Sequence, residues 1–341
     1  MKKIIGNNYF FWFAAIIVSG YVLIVFVKSP GINGYERAMF PEMIYGSAWK
    51  PFVYRTLLPS AVRVTAEILP EQVHNTLAEK VRSGELAVIV LKKLEWESEF
   101  ITEYIVAVIY MWLFLIGFVY AFRKLLIEVY NSPDWFTNSV SFAALLALPP
   151  MFQYYSYIYD FPTLFLFTLG LFFLKKQKWN YFLLLFFISC FNKETTILLT
   201  LIFAIHFYKS DNVNRKFYYQ LITAQLLIFI SIKILLYILF LDNPGGFVEF
   251  HLLDRNYLIF NGYSLITFVV WLIIIIATFS KWKVKPKFLK DALWIALPLV
   301  IFTLFLGFLD ELRDYYEVFP IVLLLVTYNI AHIFGIELKQ D

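Results

Sequence analysis

Cysteine is nearly absent. Cys190 is the only one in 341 residues, which excludes an internal disulfide and any cysteine cluster for zinc or iron–sulfur. Charge is scarce too: 16 % of residues are charged and 61 % are hydrophobic, with a mean hydropathy of +0.70. Soluble domains carry about 25 % charge and about 45–50 % apolar residues, so a soluble globular class is excluded and an integral membrane protein is expected. The four histidines, at 74, 206, 251 and 332, are scattered without metal-ligand spacing. Walker loop, dinucleotide fingerprint and G-x-S-x-G are all missing. The net charge of +4 is spread over loops and implies no nucleic-acid partner. Aspartate is missing from the whole first third: the first is Asp134.

What is abundant is apolar and aromatic. Phe (38) and Tyr (23) dominate the 21 % aromatic content, ring surface that lipid-facing and interfacial helices can use. The start, "MKKIIGNNYFFWFAAIIVSGYVLIVFV", has the outline of a signal peptide. Its apolar run of about 19 residues is long enough to span a bilayer, and no A-x-A-like site follows, so it reads as an uncleaved first helix.

The hydropathy pattern predicts an all-α integral membrane protein with about ten transmembrane helices in one polytopic domain, 1–341. The spans fall at 8–28, 101–122, 136–156, 161–174, 180–191, 195–208, 217–241, 263–280, 289–308 and 317–335. Those at 161–174, 180–191 and 195–208 are short of the roughly 20 residues a full crossing needs. The alternative is a single helix over 180–208, with Asn192, Lys193 and Glu194 at its centre. Charge bias decides. With ten helices, Lys2, Lys3, Arg123, Lys124, Lys175, Lys176, Lys178, Lys209, Arg215, Lys216, Lys281, Lys283, Lys285, Lys287 and Lys339 share one side, expected to be cytoplasmic with both termini. Localisation to the inner (plasma) membrane follows. Merging 180–208 would put "SKWKVKPK" outside. The chain is therefore expected to turn at "FNKET", away from the cytoplasm.

The same topology places the first loop, 29–100, on the outer side, with "SYIYDFP", "DNPGGFVEFHLLDRN" and "DELRDYYE". Within the first loop, 50–69 and 71–94 read as two amphipathic, interfacial helices. Short helices leave their turns below the bilayer surface, where non-helical backbone is tolerated only against protein or a cavity. A recessed outer cavity lined by Asp160, Lys193, Glu194, Glu311 and Arg313 is the expectation.

Ionisable groups at membrane depth are functional candidates. Lys193–Glu194 could cap two short helices as a salt-bridged turn, or present charge to an anionic substrate such as a phosphate. Asp160 suits an N-cap before Pro162. Arg313 has the planar fork that matches phosphate oxygens, within an otherwise solvated acidic turn. Arg55 either snorkels or contributes to the same anion site. Glu36 and Glu42 are candidate general bases towards an acceptor hydroxyl, or ordinary loop acids. Lys233, inside a span, needs a buried partner that the sequence does not name.

The layout, with "KPFVYRTLLPSAVR", "YDFPTLF", "FNKETTILL" and "ELRDYYEVFP", resembles the GT-C superfamily of polytopic glycosyltransferases. The "NKET" is similar to an Arg/Lys-Glu element recurring in such chains. The resemblance implies a polyprenyl-phosphate-linked sugar donor, a glycan, lipid or protein acceptor, and a base at the start of the first outer loop, by position Glu36 with Glu42 as runner-up. Members usually carry Asp there, and this loop has none. No close D-x-D or E-x-D pair in the loop argues for a divalent metal, so a metal cofactor is left open. Two other functions compete: a transporter or flippase of an anionic lipid or solute, and a non-catalytic envelope assembly protein.

Overall fold

The computed structural model describes residues 2–29, 31–208, 210–253, 256 and 263–340. Lys209 of the expected cytoplasmic set, and Asp254 and Arg255 of the loop after 242, lie outside the described residues. The fold is all-α. Four helical stretches are long and apolar enough to cross a membrane: Asn8–Lys28, Ser98–Val129, Arg215–Leu239 and Lys287–Leu306. Shorter apolar helices run over Trp179–Ser189, Glu194–Phe207, Leu265–Phe279 and Phe319–Ile333, and Asp134–Leu146 and Asp160–Lys175 are helical as well. Every predicted segment thus contains a helix, while length and composition support crossing for four.

The Ile101–Val129 helix is the hub. It packs against Asp160–Lys175, Asp134–Leu146, Leu57–Ile68 and Asn8–Lys28. Fifteen of its residues are buried, from Ile101 to Val129, and it runs beyond the expected end at 122. The periphery is apolar outward. In Leu265–Phe279 only Thr278 is buried, and Ile273 and Ile276 are each 59 % exposed. An apolar helix so bare needs hydrocarbon around it, since water would charge about 25 cal/mol for each Å².

Two boundaries depart from the sequence reading. The helix expected over 136–156 ends at Leu146, because Pro149 and Pro150 lack the N–H donors and clash with the preceding turn. Residues 152–159 therefore run as irregular chain. The two first-loop stretches expected as amphipathic helices, 50–69 and 71–94, fold into three, Leu57–Ile68, Glu71–Ser83 and Glu85–Leu94, because the chain is extended at Gly84 (φ −90°, ψ 108°).

The turn at "FNKET" is real. Trp179, opening one helix, packs edge-on against Phe203 and Phe207 near the end of the next, with centroids 5.7 and 5.3 Å apart. The two helices therefore run antiparallel, and a single helix over 180–208 is excluded.

The polar loops gather at two ends. At one, Asn138 donates to the Ile5 carbonyl, Lys176 pairs with Glu128 at 2.7 Å, His206 meets Asp291, and Tyr130–Asn131 pairs antiparallel with Lys339–Gln340. At the other lie 33–55, 152–160, 190–195, 240–253 and 307–317, which build the site.

Candidate functional site

Five separated stretches converge on one cavity of about 570 Å³. The first loop delivers Tyr35, Phe52 and Arg55, the irregular stretch Tyr155 and Tyr157, the turn Lys193 and Glu194, and the last polar turn Glu311, Arg313 and Asp314. Lys233 enters from the Arg215–Leu239 helix, and Glu249 and His251 from the loop that follows it. Phe229, Phe247, Leu299, Phe302 and Leu306 make the opposite wall apolar.

The floor is aromatic. Tyr157 and Tyr159 stack at 5.1 Å with 7° between planes, and Phe52 stacks on Tyr157 at 5.4 Å. Arg55 lies 4.3 Å over Tyr159 and donates to its hydroxyl. Arg313 lies 4.3 Å over Tyr157. Cation–π contact replaces part of the hydration these guanidinia lose. Backbone ties hold the stretches together: the Leu57 amide donates to the Phe191 carbonyl at 3.0 Å.

Each cation has an acid nearby. Arg313 Nε and Nη2 donate to Glu311 Oε1 at 2.7 and 2.6 Å, and Asp160 lies 3.9 Å from Nη1. Lys193 pairs with the fully buried Glu317 at 3.2 Å. Glu194 is held loosely between Arg55 at 3.5 Å and Lys233 at 3.8 Å. Lys233 also donates to the Cys190 carbonyl at 3.1 Å, which supplies the partners that its sequence position could not name. The buried Arg55 Nε has no hydrogen-bond partner among the described residues. Burial pushes Glu311 up to about 7, against the opposing pull of Arg313.

A strap closes one side. From 240 to 251 the chain is pinned to the first loop. Asn243 donates to the Gly46 and Ala48 carbonyls at 2.9 Å, and the Lys50 amide donates to the Pro244 carbonyl at 2.8 Å. Gly245 sits at φ +91°, where a Cβ would lie 2.6 Å from the Lys50 carbonyl oxygen, so only glycine fits this approach. Glu249 accepts from Arg37 at 2.9 Å and from the Tyr35 hydroxyl at 3.2 Å, with His251 at 3.6 Å. Burial works to raise the Glu249 carboxyl, but the hydrogen bonds from His251 and Arg37 outweigh it and hold the carboxyl below the usual value.

The expected residues divide. Arg55, Lys193, Glu194, Glu311 and Arg313 share the cavity. Asp160 lies behind it, 1 % exposed. Its carboxylate accepts from the Tyr157 amide at 3.0 Å rather than capping the amides ahead of it, so it shapes the floor and backs Arg313. Glu36 is exposed and Glu42 half-buried, and neither lines the cavity. The family-implied place for the base is therefore not where this cavity holds its acids. Sequence reasoning missed Tyr157, Tyr159, Glu249, Asp314 and Glu317 as site residues. Among the described residues no group of three or more His, Cys, Asp or Glu is arranged to hold a metal ion. No family model, curated protein or solved structure matches the chain.

Proposed function

We propose that the chain is a polytopic membrane glycosyltransferase that takes its sugar from a polyprenyl-phosphate-type donor in a cavity facing away from the cytoplasm. In this reading the ten helical segments all cross or enter the plasma membrane, with both termini on the cytoplasmic side. Arg55, Lys193 and Arg313 hold the donor phosphate and stabilise the charge that develops as it leaves. The hydrocarbon chain lies along Phe229, Leu299, Phe302 and Leu306, on helices otherwise bare to lipid. The acceptor is a hydroxyl of a glycan, lipid or protein.

One observation carries the reading. A buried guanidinium N–H, Arg55 Nε, makes no hydrogen bond among the described residues, its facing carboxylate oxygen on Glu194 standing off at 3.5 Å, in a cavity whose other wall is apolar. An unmade hydrogen bond to a buried charged group costs more than about 1–3 kcal/mol, and a ligand oxygen would recover it. A phosphate carrying a hydrocarbon chain matches both walls at once.

The test is purified protein in detergent or nanodiscs, given a polyprenyl-phosphate sugar and a panel of hydroxyl acceptors. Transfer of sugar supports the proposal. Movement of the donor across liposomes without chemistry would replace it with the flippase reading. Neither activity, with the polar turns tolerating substitution, would replace it with an assembly role.

A further inference from the structure

Among the described residues four carboxylates line the cavity: Glu194, Glu249, Glu311 and Asp314. Three are engaged. Glu194 faces Arg55 and Lys233, Glu249 is held by Arg37 and Tyr35, and Glu311 is bonded twice to Arg313. A carboxylate already tethered to a cation is not free to turn towards an acceptor hydroxyl. Asp314 differs. It is half-buried, and no side-chain hydrogen bond or ion pair involves it among the described residues.

Its position is nevertheless specific. Asp314 lies in the short turn Leu312–Tyr315, next in sequence to Arg313, and both side chains reach the cavity. Its carboxylate is fitted against Gly307. A Cβ at that glycine would lie 2.5 Å from Asp314 Oδ2, so a bare backbone makes the room.

We infer that Asp314 is the catalytic base of this site: the group that takes the proton from the acceptor hydroxyl. The inference rests on the transferase reading above. In the step, the acceptor O–H breaks and its proton passes to the Asp314 carboxylate. The oxygen lone pair forms the new bond to the sugar C1. The C1–O bond to phosphate breaks, and its electron pair leaves on the lipid phosphate, held by Arg55, Lys193 and Arg313. The protonated Asp314 then loses its proton to water. Because base and anion grip are consecutive residues on one turn, their separation is fixed by the backbone. Glu311 keeps the Arg313 fork in place, and Glu36 and Glu42 have no part in the transfer.

The experiment compares wild type with Asp314→Asn and Asp314→Glu, measuring sugar transfer across pH and, separately, binding of polyprenyl phosphate. Asp314→Asn should lower kcat about 100-fold or more, as loss of a general base does. Polyprenyl-phosphate affinity should stay within about threefold, since charge-assisted contacts to the phosphate are untouched. Asp314→Glu should restore part of the rate. Asp314→Asn that transfers sugar within about fivefold of wild type would overturn the assignment and leave the transferase reading standing. Loss of lipid-phosphate binding in that variant would also overturn it, showing that Asp314 merely positions Arg313. Wild-type protein that neither binds polyprenyl phosphate nor transfers sugar would bring down the transferase reading, and this assignment with it.

Discussion

Arg55 and Arg313 stand on the two rings of one stacked pair, Arg55 on Tyr159 and Arg313 on Tyr157, each 4.3 Å from its ring. Two like charges from opposite ends of the chain are thus held at one cavity floor. The rings occupy guanidinium faces, and Arg55 Nε makes no hydrogen bond among the described residues. Lysine can keep the charge but neither the planar fork nor the stacking. Arg55→Lys should therefore weaken polyprenyl-phosphate binding about 10–100-fold, the worth of one charge-assisted hydrogen bond. Titration of the purified variant with the lipid phosphate checks this, and an affinity equal to wild type would remove Arg55 from the site.

Gly307 offers a test of Asp314 that leaves its chemistry unchanged. Gly307→Ala puts a methyl 2.5 Å from Asp314 Oδ2, and the carboxylate must swing aside. Gly307 is not in the left-handed region (φ −150°), so alanine adds no backbone strain. Transfer rate should fall at least tenfold, in keeping with the steep dependence of catalysis on sub-ångström placement. The melting temperature should shift by only a few degrees, about 1 kcal/mol in a chain of this size. Unchanged kinetics would mean that the carboxylate position does not matter.

The separation between what could and could not be read from the sequence is physical. Lys193 and Glu194 were legible, because two charges inside an apolar run force a turn, and positive-charge bias chose its side. Arg55, Glu311 and Arg313 were legible as scarce ions near outer turns. The aromatic floor was not, since apolar residues through 156 masked the helix break at Pro149–Pro150. Pairing across the fold was invisible too. Arg37 and Glu249 are 212 positions apart, and Lys233 meets Glu194 from a different helix. Asp314 reads as one more acid in "DELRDYYE"; only the absence, among the described residues, of a hydrogen bond or ion pair to its carboxylate distinguishes it.

Topology follows from the two-ended arrangement of loops. With Cys190 replaced by alanine, single cysteines at Glu36 and Asp242 should react with an impermeant maleimide from outside the cytoplasmic membrane. Cysteines at Lys176 and Lys283 should react only after permeabilisation. All four sites are exposed, so silence reflects sidedness rather than burial. Labelling of Lys176 and Lys283 from outside would invert the chain and send the cavity to the cytoplasm, where the positive-charge bias is expected instead.

Glu311 makes the site sensitive to pH near neutrality. Burial raises its carboxyl from the ordinary 4.5 to about 7, so the folded protein keeps this proton over a range in which the unfolded chain has lost it. Between those values the folded state binds more protons, and this group's contribution to stability falls as pH rises. Ligand binding should follow the same sign. Below about 7, Glu311 is neutral and leaves the charge of Arg313 to the phosphate; above it, a carboxylate 2.6 Å from Arg313 competes for that charge and repels the anion. A polyprenyl-phosphate sugar is a phosphodiester whose own charge is constant over this range, so any dependence belongs to the protein. Its dissociation constant should rise several-fold from pH 6 to pH 8 in wild type and stay flat in Glu311→Gln, as a single coupled titration requires. A slope that persists in Glu311→Gln would assign the titration to another group and leave Glu311 as no more than a tether for Arg313.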